Sequence, residues 1–334
     1  LDGQGRVVVS GPGYIKRLID DDNDGRADRA QMISDKPKSG AMGLCFVGPH
    51  LLATGDNALL RFRNAEMDDR EPIEPLVIMT GLKFGEHGPH AIRQGPDGWS
   101  YVICGNNTGI TAKHATTPNS PVRVPESGTI LRFSPDFKDS EIVAHGFRNA
   151  YDFDFNSCGN LFTYDSDGER DTYLPWYAST RIYDVAIGMH HGWREQPGGR
   201  SWCRPPEWFD CVQRLAEVGR GSPTGVTVYR HRQFPAEYRG GLFTCCWTLG
   251  RVYFFPLARD GASYQTKQQI FLHTTGQTGF APTDICVAPD GSLLIAIGGR
   301  KTQGSVFRIR WTGAKQDKQA ENDRLKPALR QVLD

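Results

Sequence analysis

The chain of 334 residues lacks three things, and each absence excludes a class of function. It has no excess charge of one sign: Lys and Arg number 39, Asp and Glu 38, for a formal net charge of +1. With no global field to attract a polyanion, nucleic acid and anionic lipid are not expected partners. It has no apolar run near the roughly 18–20 residues a helical membrane span needs, so no such span is expected. Its eight cysteines form no CxxC and no CxxCH, which removes the zinc-ribbon and c-type haem readings. No signal peptide is visible, and the sequence opens at LDGQGRVVVS without Met, which reads as a mature or trimmed product.

The cysteines sit in telling places. Cys203 and Cys211 bracket CRPPEWFDC, where a short local disulfide and two free thiols both remain open. Cys245 and Cys246 are adjacent. Neighbouring strand residues point to opposite faces, so two separate half-buried thiols are expected. An oxidising compartment is compatible with this usage.

Glycine (38) and proline (21) are abundant and favour short strands with many turns. A pattern of apolar alternation, turn and G-x-L/W-x-apolar run recurs along the chain. It occurs at 1–10, 43–63, 90–107 with 128–136, 150–167, 225–261 and 283–299, closed by SVFRIRW at 305–311. Turns such as PDG at 96–98, SCGN at 157–160 and PDG at 289–291 suit tight hairpins. Six units of roughly 50 residues match a four-stranded blade, and a blade buries its faces only against neighbours. The expected fold is all-β, a six-bladed β-propeller over residues 1–313; the other arrangement weighed is a pair of β-sandwiches. The first unit lacks an obvious innermost strand. Residues 314–334 are charged and carry Leu325, Leu329 and Leu333 at helical spacing. They read as a helical or flexible exit segment, a linker to a further domain.

Residues 20–28, DDDNDGRAD, place Asp20, Asp22, Asp24 and Asp28 around Gly25. Carboxylates this close repel without a cation, and Gly25 permits the tight turn, so a structural calcium site is expected, with the Arg26 carbonyl as a further ligand. Position 12 of the loop is Gln31 rather than Glu, so this is not an EF-hand.

The stretch FGEHGPHAIRQGPDG at 84–98 sets two imidazoles, His87 and His90, in a loop stiffened by Gly85, Gly88 and Pro89. Further on comes HGFRNAYDFDFNSCGNLFTYDSDGE at 145–169. With these motifs the chain resembles the soluble glucose/sorbosone dehydrogenase family, six-bladed propellers that bind pyrroloquinoline quinone (PQQ) and calcium. The resemblance is clearest over residues 80–200 and extends to about 311. The segments LPWY, STRI, HHGWR, GSPTG and GGR point to its sorbosone-dehydrogenase-like branch, often a module of large secreted bacterial proteins.

That resemblance implies oxidation of a sugar or polyol alcohol in the periplasm or outside the cell. An external acceptor such as a cytochrome would take the electrons. It places His87 as the general base, with His90 orienting it or lining the site, and Arg148 and Asn149 over the cofactor. Asp165, Asp167 and Glu169 fall on the segment that binds the family's catalytic calcium through backbone carbonyls, and Trp247 and Asp284 fall in its cofactor-binding blades. The sequence departs from the family where cations should hold the PQQ carboxylates. Thr248 stands where Lys is expected, and Ala281 and Thr283 where arginines are expected. Arg181, Arg251 and Arg300 are the replacements the sequence offers.

Two other functions follow from the same residues. Trp176, Tyr177, Trp193, Trp202, Trp208 and Trp247 would stack on sugar rings in a carbohydrate-binding or carbohydrate-cleaving propeller without PQQ, with Asp165 and Asp167 as paired acids. The fold would also serve as a non-catalytic docking platform.

Overall fold

The structure, a computed structural model, describes residues 1–68, 71–196, 200–205, 208–276, 279–299 and 303–313. Arg300 and the segment 314–334 lie outside the described residues. The chain is a six-bladed β-propeller built of antiparallel meanders. Blade 1 holds β1 (Val8–Gly11), β2 (Tyr14–Ile19) and β3 (Arg29–Ser34). Blade 2 holds β4 (Gly43–Val47), β5 (His50–Gly55), β6 (Ala58–Phe62) and β7 (Leu76–Thr80). Blade 3 holds β8 (Pro89–Gln94), β9 (Ser100–Cys104), β10 (Gly128–Phe133) and β11 (Ser140–Phe147). Blade 4 begins with β12 (Phe153–Phe155), β13 (Leu161–Asp165) and β14 (Thr180–Asp184). A ribbon, β15 (Trp193–Gln196) with β16 (Arg200–Cys203), intervenes before β17 (Ala216–Gly219) completes that sheet. Blade 5 holds β18 (Pro223–Val228), β19 (Leu242–Cys246) and β20 (Arg251–Phe255). Its outer strand β23 (Gln269–His273) follows a small ribbon, β21 (Ala258–Asp260) with β22 (Ser263–Gln265). Blade 6 holds β24 (Pro282–Val287), β25 (Leu293–Ile297) and β26 (Ser305–Ile309). Blade 1 has three strands, in keeping with the strand its sequence lacks; blade 6 also has three among the described residues.

Two compact units divide the blades. One takes in Leu1–Asn149 and Ile187–Ser201, the other Ala150–Ala186 and the residues from Trp202 onward. In the first unit, β5 shows how period-2 alternation builds the stack. Leu51 and Ala53 face a core with Ile15, Ile33, Leu60 and Phe62. Leu52, between them, faces a second core with Ile92, Val102, Leu131 and Ile142. Both faces of a middle blade are therefore buried, and a single inward leucine contributes about 1.5–3 kcal/mol.

The second unit repeats the device in β19. Leu242 and Cys246 join Phe162, Ile182, Val226 and Phe255, while Phe243 and Cys245 join Phe234, Val252, Ile285 and Leu293. The vicinal cysteines thus lie in different cores as separate thiols, as alternation requires, but both are fully buried rather than half-buried, because each face of β19 packs into a core. Cys203 and Cys211 are separate too. The Cys203 Sγ accepts from Arg214 Nη2 at 3.5 Å, and the Cys211 thiol donates to the Trp208 carbonyl at 3.3 Å.

Buried carboxylates tie blade 4 to blade 5 within the second unit. Asp152 Oδ2 accepts from the Val226 amide at 2.7 Å, and Asp154 Oδ2 from the Val228 amide at 2.8 Å. These satisfy backbone donors that the edge of β18 would otherwise bury without partners. Threonines serve neighbouring blades likewise. Thr54 Oγ1 donates to the His90 carbonyl at 2.8 Å, and Thr224 Oγ1 to the Pro282 carbonyl at 2.7 Å. Among the described residues no helix is long and apolar enough to cross a membrane.

Candidate functional site

The 84–90 loop precedes β8 and is held by its own turns. The Gly88 amide donates to the Gly85 carbonyl at 3.0 Å, and the Gly105 amide to the Gly88 carbonyl at 2.8 Å. The carbonyl of His87 accepts from the Asn107 amide at 3.1 Å. Gly105 is required for this approach: a Cβ there would lie 2.4 Å from Asn149 Oδ1 and 2.7 Å from the His87 carbonyl carbon. The loop is thus fixed by backbone contacts at the end of β9, and the half-buried His87 ring is aimed by them.

Four predicted residues come together in the first unit. His87 Nδ1 lies 2.6 Å from Asn106 Oδ1. His90 Nε2 lies 2.8 Å from Asn149 Oδ1, and Asn149 Nδ2 donates to the Glu86 carbonyl at 3.0 Å. The Arg148 guanidinium sits 5.5 Å from the centre of the buried Trp193 ring, a cation–π distance, while its carbonyl accepts from the Asn106 amide at 2.8 Å. Burial drives the His90 pKa down to about 4, with the Asn149 contact opposing that shift. His90 is therefore neutral across the physiological range, and its position suits orientation rather than proton transfer.

Two residues the sequence did not nominate complete the cluster. Asn106 Nδ2 donates to Glu195 Oε1 at 2.6 Å. The same oxygen accepts from Trp193 Nε1 at 3.2 Å and Ser127 Oγ at 3.3 Å. Asn106 directly follows β9 and Gly105, which would have flagged it as a loop position at a blade end. Nothing local marks Glu195, which comes from the ribbon strand β15, 89 residues further along the chain.

Behind this cluster the HHGWR segment docks on β11. His191 Nδ1 donates to the His145 carbonyl at 3.0 Å, and its ring stacks on Phe147 at 4.3 Å. Burial holds the His191 pKa at about 3, so it packs as a neutral ring. Glu126 Oε1 accepts from Arg194 Nε at 3.0 Å.

The remaining predicted residues belong to the second unit. Asp165 and Arg181 face each other across β13 and β14, both side chains fully buried, with Arg181 Nη2 donating to Asp165 Oδ2 at 2.9 Å. The guanidinium also donates to the Ser179 carbonyl at 2.7 Å and to Tyr183 Oη at 3.1 Å. Asp167 is buried and accepts from Tyr177 Oη at 2.6 Å; burial first and this contact second push the Tyr177 pKa up. Trp247 Nε1 donates to the Gly298 carbonyl at 2.8 Å, and Asp284 Oδ1 accepts from the Ile285 amide at 2.7 Å. Trp176 is 63% and Trp208 47% exposed, whereas Trp193 is buried.

These contacts bear on PQQ. Thr248 bonds to Ser222, and Thr283 Oγ1 donates to the Ala296 carbonyl at 3.2 Å. Of the three replacement cations, Arg181 is committed inside its own blade and Arg300 lies outside the described residues. Arg251, half-buried at the start of β20, remains. Among the described residues, that leaves one of the three nominated cations for a tricarboxylate that wants several charge-assisted contacts.

The acidic loop between β2 and β3 does gather a donor set. Asp20, Asp22 and Asp28 offer oxygens that all lie within 4.8 Å of one another. Asp24 is not in this group; its Oδ1 accepts from the Arg26 amide at 2.7 Å. Gly25, at φ +92°, makes the turn. Three hard oxygens at this spacing fit a divalent cation.

Solved structures share this architecture. A Thermus thermophilus protein described as an oxidoreductase (glucose dehydrogenase) aligns with a TM-score of 0.67 at 17% identity, covering 92% of this chain and 94% of its own. The PQQ-bound aldose sugar dehydrogenase of Streptomyces coelicolor aligns at 0.64 and 18%, covering 92% of each chain. The holo PQQ domain of Coprinopsis cinerea pyranose dehydrogenase aligns at 0.62 and 13%, covering 93% and 91%. At these identities the likeness is one of fold. No curated protein matches the chain. The model of the family described as "Domain of unknown function (DUF7133)" matches residues 3–296, and the chain belongs to that family.

Proposed function

We propose that the chain is a dehydrogenase-like propeller that oxidises an alcohol of a sugar or polyol, with His87 taking the hydroxyl proton. The observation that carries this reading is the cluster in the first unit. A half-buried imidazole is anchored through Nδ1 to Asn106, next to a neutral buried histidine and an arginine. Loss of hydride from a carbinol carbon needs simultaneous removal of the hydroxyl proton, and a neutral imidazole does this near pH 7. Arg148 supplies positive charge beside the site, which favours an oxygen that gains negative charge.

A quinone would supply the redox half of the reaction by accepting the hydride. The solved structures that contain PQQ support a quinone, whereas the missing cations argue against tight binding of PQQ itself. Calcium at Asp20, Asp22 and Asp28 would be structural, and the compartment periplasmic or extracellular, with an external electron acceptor. A carbohydrate-binding role without redox chemistry is the second reading, favoured by the exposed Trp176 and Trp208. The paired-acid version of that reading draws no support, because Asp165 is locked to Arg181 and Asp167 to Tyr177.

The test is calorimetric titration of the calcium-loaded protein with PQQ and with an uncharged benzoquinone, followed by dye reduction with aldoses and polyols. Sugar-dependent dye reduction with either quinone supports the reading. Sugar binding with no dye reduction would replace it with the carbohydrate-binding one.

A further inference from the structure

We infer that two asparagines fix a proton on opposite ring nitrogens of His87 and His90, Nδ1 in the first and Nε2 in the second, and that Glu195 is the positioning residue that sets the one at His87. A carboxylate oxygen accepts, so the end of Asn106 that lies 2.6 Å from Glu195 Oε1 is its amide nitrogen. Its carbonyl oxygen is then the end 2.6 Å from His87 Nδ1. That oxygen cannot donate, so Nδ1 of His87 carries a proton, and Nε2 holds the lone pair whenever the ring is neutral. The second histidine runs the other way. The Glu86 carbonyl accepts from Asn149 Nδ2 at 3.0 Å, which turns Asn149 Oδ1 to His90 Nε2 at 2.8 Å. His90 therefore carries its proton on Nε2.

Glu195 is suited to this role because three donors converge on its Oε1. Trp193 Nε1 at 3.2 Å and Ser127 Oγ at 3.3 Å keep an acceptor at the point where Asn106 needs one. The neutral histidine side chain in water favours the Nε2–H form, so a neutral ring at this position is held in its less favoured tautomer. The consequence rests on the proposed function: an imidazole bonded through Nδ1–H presents Nε2 as the base. The tautomer assignment itself does not depend on that reading.

The experiment is a long-range proton–nitrogen correlation spectrum of the imidazole rings in the ¹⁵N-labelled full chain at pH 7.5, assigned with His87→Gln and His90→Gln. The wild-type spectrum should show Nδ1–H at His87 and Nε2–H at His90. Glu195→Gln keeps an accepting oxygen and should leave both unchanged. Glu195→Leu and Asn106→Leu should move His87 to a mixture or to Nε2–H and leave His90 as it was, which also shows that the loop remains folded. Nε2–H at His87 in the wild type overturns the inference, as does an unchanged His87 in Glu195→Leu. The predicted tautomers without sugar oxidation would keep this inference and remove the proposed function.

Discussion

Asp165 and Arg181 are register partners in blade 4, fully buried, and joined at 2.9 Å. Breaking such a pair strands a charge in the core, at a cost of about 3–5 kcal/mol, whereas replacing both members by apolar residues is often neutral. Asp165→Leu and Arg181→Met should each lower the urea midpoint strongly, and the double variant should recover most of the loss. Single variants with wild-type stability but weakened ligand binding would instead assign the pair to the site.

Gly105 allows the close packing beneath His87. Alanine there would press its Cβ on Asn149 Oδ1 and on the His87 backbone. Gly105→Ala should cost about 1–3 kcal/mol and displace His87 and Asn149 together. Circular dichroism melting checks the first expectation, and the imidazole spectrum the second. An unperturbed spectrum would contradict the packing described.

The buried histidines set a pH dependence. The folded pKa of His90 is about 4 and that of His191 about 3, both below the unfolded value of about 6.5. Between those limits the unfolded chain binds the protons and the folded chain does not. Stability should therefore be whole above about pH 6.5 and fall as pH drops towards 4, by up to about 1.4 kcal/mol per pH unit for each group. Urea unfolding at pH 7.5, 6 and 5 measures the slope, and His90→Gln should make it shallower. A flat profile over that range would contradict burial of the two neutral rings.

Calcium should raise the melting temperature through the loop at 20–28, because a cation that binds only the folded loop stabilises it. Asp22→Asn and Asp28→Asn should each shrink the calcium-dependent shift, with melting in the presence of a chelator little changed. Equal melting with calcium and with chelator would remove the cation from the account.

The blades were legible because their signals are local. Alternation such as Leu51–Leu52–Ala53 and turns such as Pro96–Asp97–Gly98 need no long-range information. The vicinal Cys245 and Cys246 fell on opposite faces for the same reason. The candidate site was half legible. His87, His90, Arg148 and Asn149 stand in two recognisable motifs, whereas Glu195 reaches Asn106 from 89 residues away through a ribbon that has no blade pattern. Arg181 stands among the replacement cations because Thr248, Ala281 and Thr283 occupy the positions where cations are expected. Its burial follows from the register that sets Asp165 opposite it, which the sequence does not display.

The most direct test of the central claim compares wild type with His87→Gln in quinone-dependent dye reduction across a panel of aldoses and polyols, with calcium present. Sugar-dependent turnover in the wild type should fall about 10²- to 10⁴-fold in His87→Gln, with thermal stability nearly unchanged. Sugar-dependent turnover of equal rate in the two proteins would contradict His87 as the base, and its absence from the wild type with every quinone would contradict the dehydrogenase reading itself.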